Sequence, residues 1–510
     1  MTLSWSGWIT PETPTLASPY VDWFRTTRQP GDARFRTRSL ALPEGTPAAL
    51  SLGQQEVPLP ATALPVAGAP VLPPDPLWPQ PRPDAVIVGV IDTALALAHE
   101  RFRHGDGSTR FLAAWQQGAS WTGQPLPFGR ELRAGEIDRL MQQAIAGGTL
   151  DEAAFNLAAG LTSFADPLAD REIERAASHG THVLDLAAGF DPAQPDPAGQ
   201  RERMALLAVT LPPRPSIGAA GNFLEFFVIH AIRWIVASAD AIWQQHYAAT
   251  MPGRFGFPVV INLSYGLQAG PKDGTMALER FIRALVDERR QKDCAPLRIV
   301  LPAGNDNLEC GQARVAVKPA GSAPLTWRLV PEDRTPNYLE IWTETTEQGQ
   351  APFALQITPP GAAPLWLSPG RPGQYCDLTE STAPDQPLAR IYCRSVPGPD
   401  GSGRRMNHVI CTRSTSDETA AAPAGAWTVR LKGAGGWAQL FVQSDQSLIH
   451  GAATGLLSYF DHPDYRRFDE DSGRVVDTTD YPPPGRTPIW NDAGPVRRLN
   501  TLNAIASLPD

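Results

Sequence analysis

The stretch Ser178-His179-Gly180-Thr181-His182-Val183 sets two imidazoles three residues apart around a glycine and a threonine, then runs into small apolar residues. Imidazole is the side chain whose ordinary pKa lets it take and return a proton near neutral pH. To serve as a base it needs a carboxylate to orient one ring nitrogen and a proton donor facing the other. Two more polar residues close apolar runs elsewhere: Asp92 ends AVIVGVID (85–92), and Asn305 follows RIVLPAG (298–304). Burying any of these groups without a partner is costly, so together they read as a set. Taken singly, Asp92 also fits a strand-end cap, and His179 with His182, joined by Asp185, fits a metal pair. For an isolated pair of this kind a satisfied surface or core histidine is commoner than either metal binding or catalysis.

The elements that must hold these residues are legible from texture. AVIVGVID, MALLAVTL (204–211), PVVINLSY (258–265) and RIVLPAG are short apolar runs with no polar alternation, the pattern of strands buried on both faces. Helical periodicity fills 223–247 and 276–291 between them. Strands alternating with helices predict an α/β fold, a parallel sheet with helices on both faces, and working residues at the carboxyl edge of the strands. From about residue 313 the texture changes to short segments punctuated by Pro and Gly, such as YLEIWTE, ARIYCRS and WTVRLKG, which predict an antiparallel β-sandwich. The expected organisation is a Pro-rich extension or linker over 1–83 and an α/β unit over 84–312 carrying an inserted lobe at about 106–175. An inserted sandwich over 313–444 and a return toward the α/β unit over 445–510 complete it. No internal repeat is visible.

The motifs VIDTAL, HGTHV, VINLSYG and PAGND, in that order over roughly 85–312, resemble the subtilisin-like serine proteases, with TLNAIAS (501–507) a weaker echo. The resemblance implies a subtilisin-like layout and hydrolysis of peptide bonds through an acyl-enzyme. It implies that Asp92 accepts the Nδ1 proton of His179 while Nε2 takes the proton of a serine, and that the Asn305 amide donates to the oxyanion. Ser264, Tyr265 and Gly266 would offer an edge strand to an extended peptide, with Ala303 and Gly304 lining the pocket before the scissile bond. It implies no organic cofactor and no catalytic metal. A structural calcium ion would be in keeping with the family, but no motif marks its ligands.

Departures from the family pattern are informative. Ala94 and Ser178 stand where glycine is usual, and Leu184-Asp185 replaces a small pair. The large departure is the nucleophile: no Gly-Thr-Ser-x-Ala-x-Pro string lies between Asn305 and Asp510, and the nearest text, STSDETAAAP (414–423), places Ser416 between two β segments. The expectation is a chain that is inert alone, its serine supplied by a further segment or a separate polypeptide. The alternative is a non-catalytic peptide-binding or scaffolding protein that keeps the fold.

Composition narrows the field further. The chain has 510 residues, 42% hydrophobic and 19% charged, with a formal charge of −9. That length exceeds the ~250–300 residues one core usually organises, so more than one folded unit is expected. The negative charge is spread rather than blocked, so nothing in it suggests a nucleic-acid or anionic-membrane partner, and the protein or peptide substrate is what the resemblance implies. MTLSWSGWITPETP lacks the basic start and apolar run of a secretory leader, so a cytoplasmic location is the expectation. FLEFFVIHAIRWIVASADAIW (223–243) carries Glu225, His230, Arg233 and Asp240 and reads as a buried helix rather than a membrane span. Five cysteines match no zinc spacing; Cys376, Cys393 and Cys411 could include a disulfide, but reduced, buried thiols are the simpler expectation. Trp327, Trp342, Trp427 and Trp437 are expected in the sandwich core.

Overall fold

The computed structural model describes residues 2–12, 19–27, 35–40, 55–60, 78–119, 126, 128–162, 173–174, 178–196, 198–212, 222–265, 270, 274, 276–302, 309–343, 353–398, 404–416, 420–444 and 455–462. Six strands form the sheet that carries the candidate residues, in the spatial order Leu297–Val300, Val259–Leu263, Val86–Asp92, Met204–Thr210, Phe111–Gln116, Arg130–Arg133. The first five are parallel, and the last pairs antiparallel with its neighbour.

Alternation along the central strand explains its lack of polar residues. Ile87 and Ile91 point into one core, shared with the long helix Asn222–His246 and the helix Ala277–Gln291. Val88 and Val90 point into another, shared with the helices His179–Ala188, Ala134–Gln143 and Glu152–Ala158. Each large aliphatic side chain buried this way contributes roughly 1.5–3 kcal/mol. Gly89 lets the long helix close on the sheet, because a Cβ there would lie 3.0 Å from Ile235 Cγ2 and 3.1 Å from Ile261 Cγ1. The long helix buries Ile229, Ile232, Ile235 and Ile242, and among the described residues no helix is long and apolar enough to cross a membrane.

The segment 106–175, expected to be an inserted lobe, contributes to the sheet itself. Phe111–Gln116 pairs in parallel with Met204–Thr210, and Arg130–Arg133 extends the sheet beyond it. The text FLAAWQ contains no β-branched residue; Phe111 and Trp115 are its only strand-favouring residues, and all six are buried. Arg110, just before this strand, is buried and donates to the carbonyls of Ala188 (2.7 Å), Met204 (3.0 Å) and Arg201 (3.2 Å), tying the end of the His helix to the sheet. Burial pushes its guanidinium down to about 10.

Most of the remaining described strands form two antiparallel sheets. A seven-stranded sheet runs Leu3–Trp5, Tyr375–Glu380, Ala389–Pro397, Arg404–Thr412, Asn337–Thr343, Trp437–Ser444, Gln312–Ala316, and a four-stranded one runs Phe353–Thr358, Gly425–Gly433, Leu325–Leu329, Tyr459–Asp461. Leu339, Ile341, Ile391 and Leu440 from the first share one core with Leu355, Trp327, Val429 and Leu431 from the second. Two expected boundaries shift. The start of the chain is part of this β unit: Trp5 sits in its core with the indole donating to the Ile357 carbonyl (2.6 Å), and Tyr20 and Trp23 of the helix Pro19–Thr27 pack on Tyr338 and Tyr392. Tyr459–Asp461 also belongs to the β unit, beyond the expected limit at 444. The Pro-rich stretch contains the strand Gln55–Pro60, paired antiparallel with Phe35–Leu40, so its Pro58 and Pro60 sit in a two-stranded ribbon. Trp327, Trp342 and Trp427 are buried as expected, whereas Trp437 is exposed under the Arg314 guanidinium, 4.4 Å from its ring centre. All five cysteines are free thiols, with Cys376, Cys393 and Cys411 buried and Cys294 and Cys310 half-buried.

Candidate active site

Asp92 and His179 lie 87 residues apart in the chain, and the fold brings them into contact: His179 Nδ1 is 2.8 Å from Asp92 Oδ1. Asp92 is the last residue of the central parallel strand, with Thr210 opposite it in the neighbouring one, so it stands at the carboxyl edge. Its Oδ1 also accepts the Thr93 amide at 2.8 Å. The carboxylate side chain is 0% exposed while the His179 side chain is 56% exposed. A buried carboxylate that accepts from Nδ1 selects the tautomer with its hydrogen on that nitrogen and leaves Nε2 as a proton acceptor. Tyr265 flanks the imidazole edge-on, with ring centres 6.4 Å apart.

Local chemistry aims the histidine. Ser178 is the N-cap of the His helix, its hydroxyl accepting the Thr181 amide at 3.1 Å. The Ser178 hydroxyl also donates to the Ala94 carbonyl, as does Thr181 Oγ1 at 3.0 Å, and Thr181 Oγ1 accepts the Ala96 amide at 2.9 Å. Helix start and strand end are thus laced together through the corner after Asp92. That corner is strained, because Ala94 has φ +49°, a left-handed conformation that glycine adopts more easily. Gly180 is required by contact, since a Cβ there would fall 1.9 Å from the Thr93 carbonyl oxygen and 3.0 Å from Asp92 Cβ. Larger residues would push His179 away from its carboxylate.

Of the residues expected from sequence, Asp92, His179, Ser264 and Tyr265 are described. Gly266, Ala303, Gly304 and Asn305 lie outside the described residues. Val259–Leu263 is not an edge strand, because Leu297–Val300 and Val86–Asp92 pair with it on either side. Ser264 and Tyr265 instead follow the paired register, with Ser264 Oγ donating to Asn262 Oδ1 at 2.7 Å. An incoming chain could pair only with this projecting end. Ser416 sits in a β-unit turn, where its neighbour Thr415 bonds to the Val330 carbonyl (2.7 Å) and to Asp333, and no described contact joins it to His179. Asp185 pairs with Arg101 (2.5 Å), and among the described residues no group of three His, Cys, Asp or Glu side chains is set to hold a metal. Sequence reasoning missed the N-cap role of Ser178, although a serine before a helical run is a recognisable signal.

No family model matches the chain, and no curated protein matches it. Among solved structures it is similar to the CspB protease of Clostridium perfringens, at a TM-score of 0.49 and 15% identity over 74% of this chain and 64% of that one. The chain therefore corresponds to less than two thirds of that protein's length.

Proposed function

We propose that this chain carries the base and orienting carboxylate of a serine-type peptidase, a subtilisin-like endopeptidase acting on extended polypeptide. The observation that carries the reading is the 2.8 Å contact between a fully buried Asp92 and an exposed His179 at the carboxyl edge of a parallel sheet. His179 Nε2 removes the proton of a serine hydroxyl as its oxygen bonds to the scissile carbonyl carbon. The imidazolium then returns that proton to the departing amine, leaving an acyl-enzyme that water hydrolyses by the same route. Asp92 holds the tautomer and stabilises the imidazolium. Substrate backbone lies along Ser264, Tyr265 and Gly266, and Asn305 donates to the oxyanion. The serine is contributed by a further segment or a second polypeptide, and no organic cofactor is needed.

The test compares the complete gene product with its His179→Ala and Asp92→Asn variants on an unfolded protein substrate. Loss of base or orienting carboxylate is expected to lower kcat by ~10⁴-fold or more with the fold intact. Undiminished hydrolysis by His179→Ala would end the proposal.

A further inference from the structure

The two faces of the parallel sheet are covered unequally, although sheets of this kind are normally packed on both. On the side of the long helix, burial runs unbroken from the central strand to the last one, through Ile87 and Ile91, Val259 and Ile261, and Leu297. On the side of the His helix it stops short. Val88 and Val90 are buried, Val260 and Asn262 beside them are half-buried, and Arg298 and Val300 in the end strand are exposed, Val300 by 52%. Strands lie ~4.8 Å apart, so a strip over two of them is ~10 Å wide, the spacing of packed helices.

The His helix turns an apolar flank to this strip. Residues four and seven positions after His179 lie on its side of the helix, so Val183 and Leu186 continue its stripe. Leu186 is 90% exposed. The stripe faces the Tyr265 side of the sheet, since the His179 ring meets the Tyr265 ring at 6.4 Å while Asp185, on the other flank, pairs with Arg101. Flank and strip together make a seat one helix wide that ends at His179, whose Nε2 has no hydrogen-bond partner among the described residues. Exposed apolar surface arranged in this way marks a contact that the described chain does not make.

We propose that this seat takes a helix from the part of the same polypeptide that follows residue 510, and that this helix brings the serine to His179. The inference rests on the peptidase reading and locates the segment that reading requires. The seat is built from a handful of described residues, against the ~20–30 per side of a standard interface between separate chains. A free helix would bind it weakly, whereas a tethered one, at an effective concentration on the order of mM, is held by its own chain. Arg298 makes no ion pair with a described residue, so the incoming helix carries a carboxylate opposite it.

The test places benzoylphenylalanine at Leu186, at Val300 and, as a control, at Leu365, which is 45% exposed in the β unit, in the complete gene product. After irradiation the adducts are mapped by mass spectrometry, and the nucleophile is marked in parallel with diisopropyl fluorophosphate. Positions 186 and 300 are expected to join one stretch encoded after codon 510 that also holds the marked serine, and position 365 is not. Adducts within residues 1–510, to a second copy, to a different gene product or to a stretch without the marked serine would each overturn the proposal, as would their absence. Leu186→Lys and Val300→Lys are each expected to slow the marking by roughly tenfold or more, and unchanged marking in both would also overturn it. His179→Ala is expected to keep the adducts and lose hydrolysis. Adducts kept together with hydrolysis would mean that the peptidase reading, and the serine with it, has failed; missing adducts with hydrolysis lost would mean that only the docking has.

Discussion

The two halves of the molecule each bury a carboxylate, and they do opposite things with it. Asp92 in the α/β unit hands one side to an imidazole that is more than half exposed. Glu340 in the β unit is enclosed by donors that do not exchange protons near neutral pH. One oxygen accepts the Tyr20 hydroxyl, and the other accepts the Trp342 indole (2.6 Å) and the Gly270 amide (2.8 Å). Burial, with Glu340 beside it, holds the Tyr20 phenol well above its ordinary range, so this contact stays a neutral donor to a carboxylate. The imidazoles divide the same way. His408 is buried in the β unit between the Trp8 and Phe353 rings, and burial pushes it down to about 4. A carboxylate joined to solvent through a titratable group can transmit a proton, whereas one closed by fixed donors can only hold segments together. Glu340 joins the helix Pro19–Thr27, the β unit and Gly270.

Removing Glu340 puts the largest strain on that contrast. Glu340→Ala leaves three donors without an acceptor and is expected to destabilise the protein by roughly 3–5 kcal/mol in denaturant unfolding, with Glu340→Gln losing less. A loss well under 1 kcal/mol would show that the hub does not bind the segments.

Acid sharpens the contrast next. His408 stays neutral in the folded state down to about pH 4, whereas the unfolded chain takes up that proton near 6.5, so between these values the unfolded state binds more protons. Its contribution is fully present above pH 6.5 and is lost as pH falls toward 4, to a total of about 3 kcal/mol for the shift from 6.5 to about 4. A His408→Phe variant should flatten that part of the stability profile measured by denaturation from pH 7 to 4. An unchanged slope would place the acid sensitivity elsewhere.

The smallest expected effect is at the helix start. Ser178→Ala removes the cap and one tie to Ala94, at a cost of about 1 kcal/mol in thermal unfolding.

The sequence made the α/β unit legible where β-branched runs met both cores, and Asp92 and His179 were legible because motif order carried them. What it concealed has physical causes. Phe111–Gln116 lacks the β-branched run that marks the other parallel strands, and its burial shows only in the fold. Leu3–Trp5 is too short to show a period, and its pairing partner lies hundreds of residues away. Glu340 sits in YLEIWTE at a position that reads as the solvent face of an alternating strand, and only the packing of Tyr20 and Gly270 against it makes that face an interior. Ala94 stands where glycine is usual, and its left-handed backbone, φ +49°, has no compositional signal.

The pairing of Leu3–Trp5 with Leu378–Glu380 also bears on how the chain is made. Trp5 and Leu378 are 378 − 5 = 373 residues apart, so Leu3–Trp5 leaves the ribosome without its partner strand, which follows only after those residues are made. At ~5–20 residues per second that interval is on the order of tens of seconds, during which Leu3 and Trp5 must wait without that partner while the α/β sheet between them is synthesised.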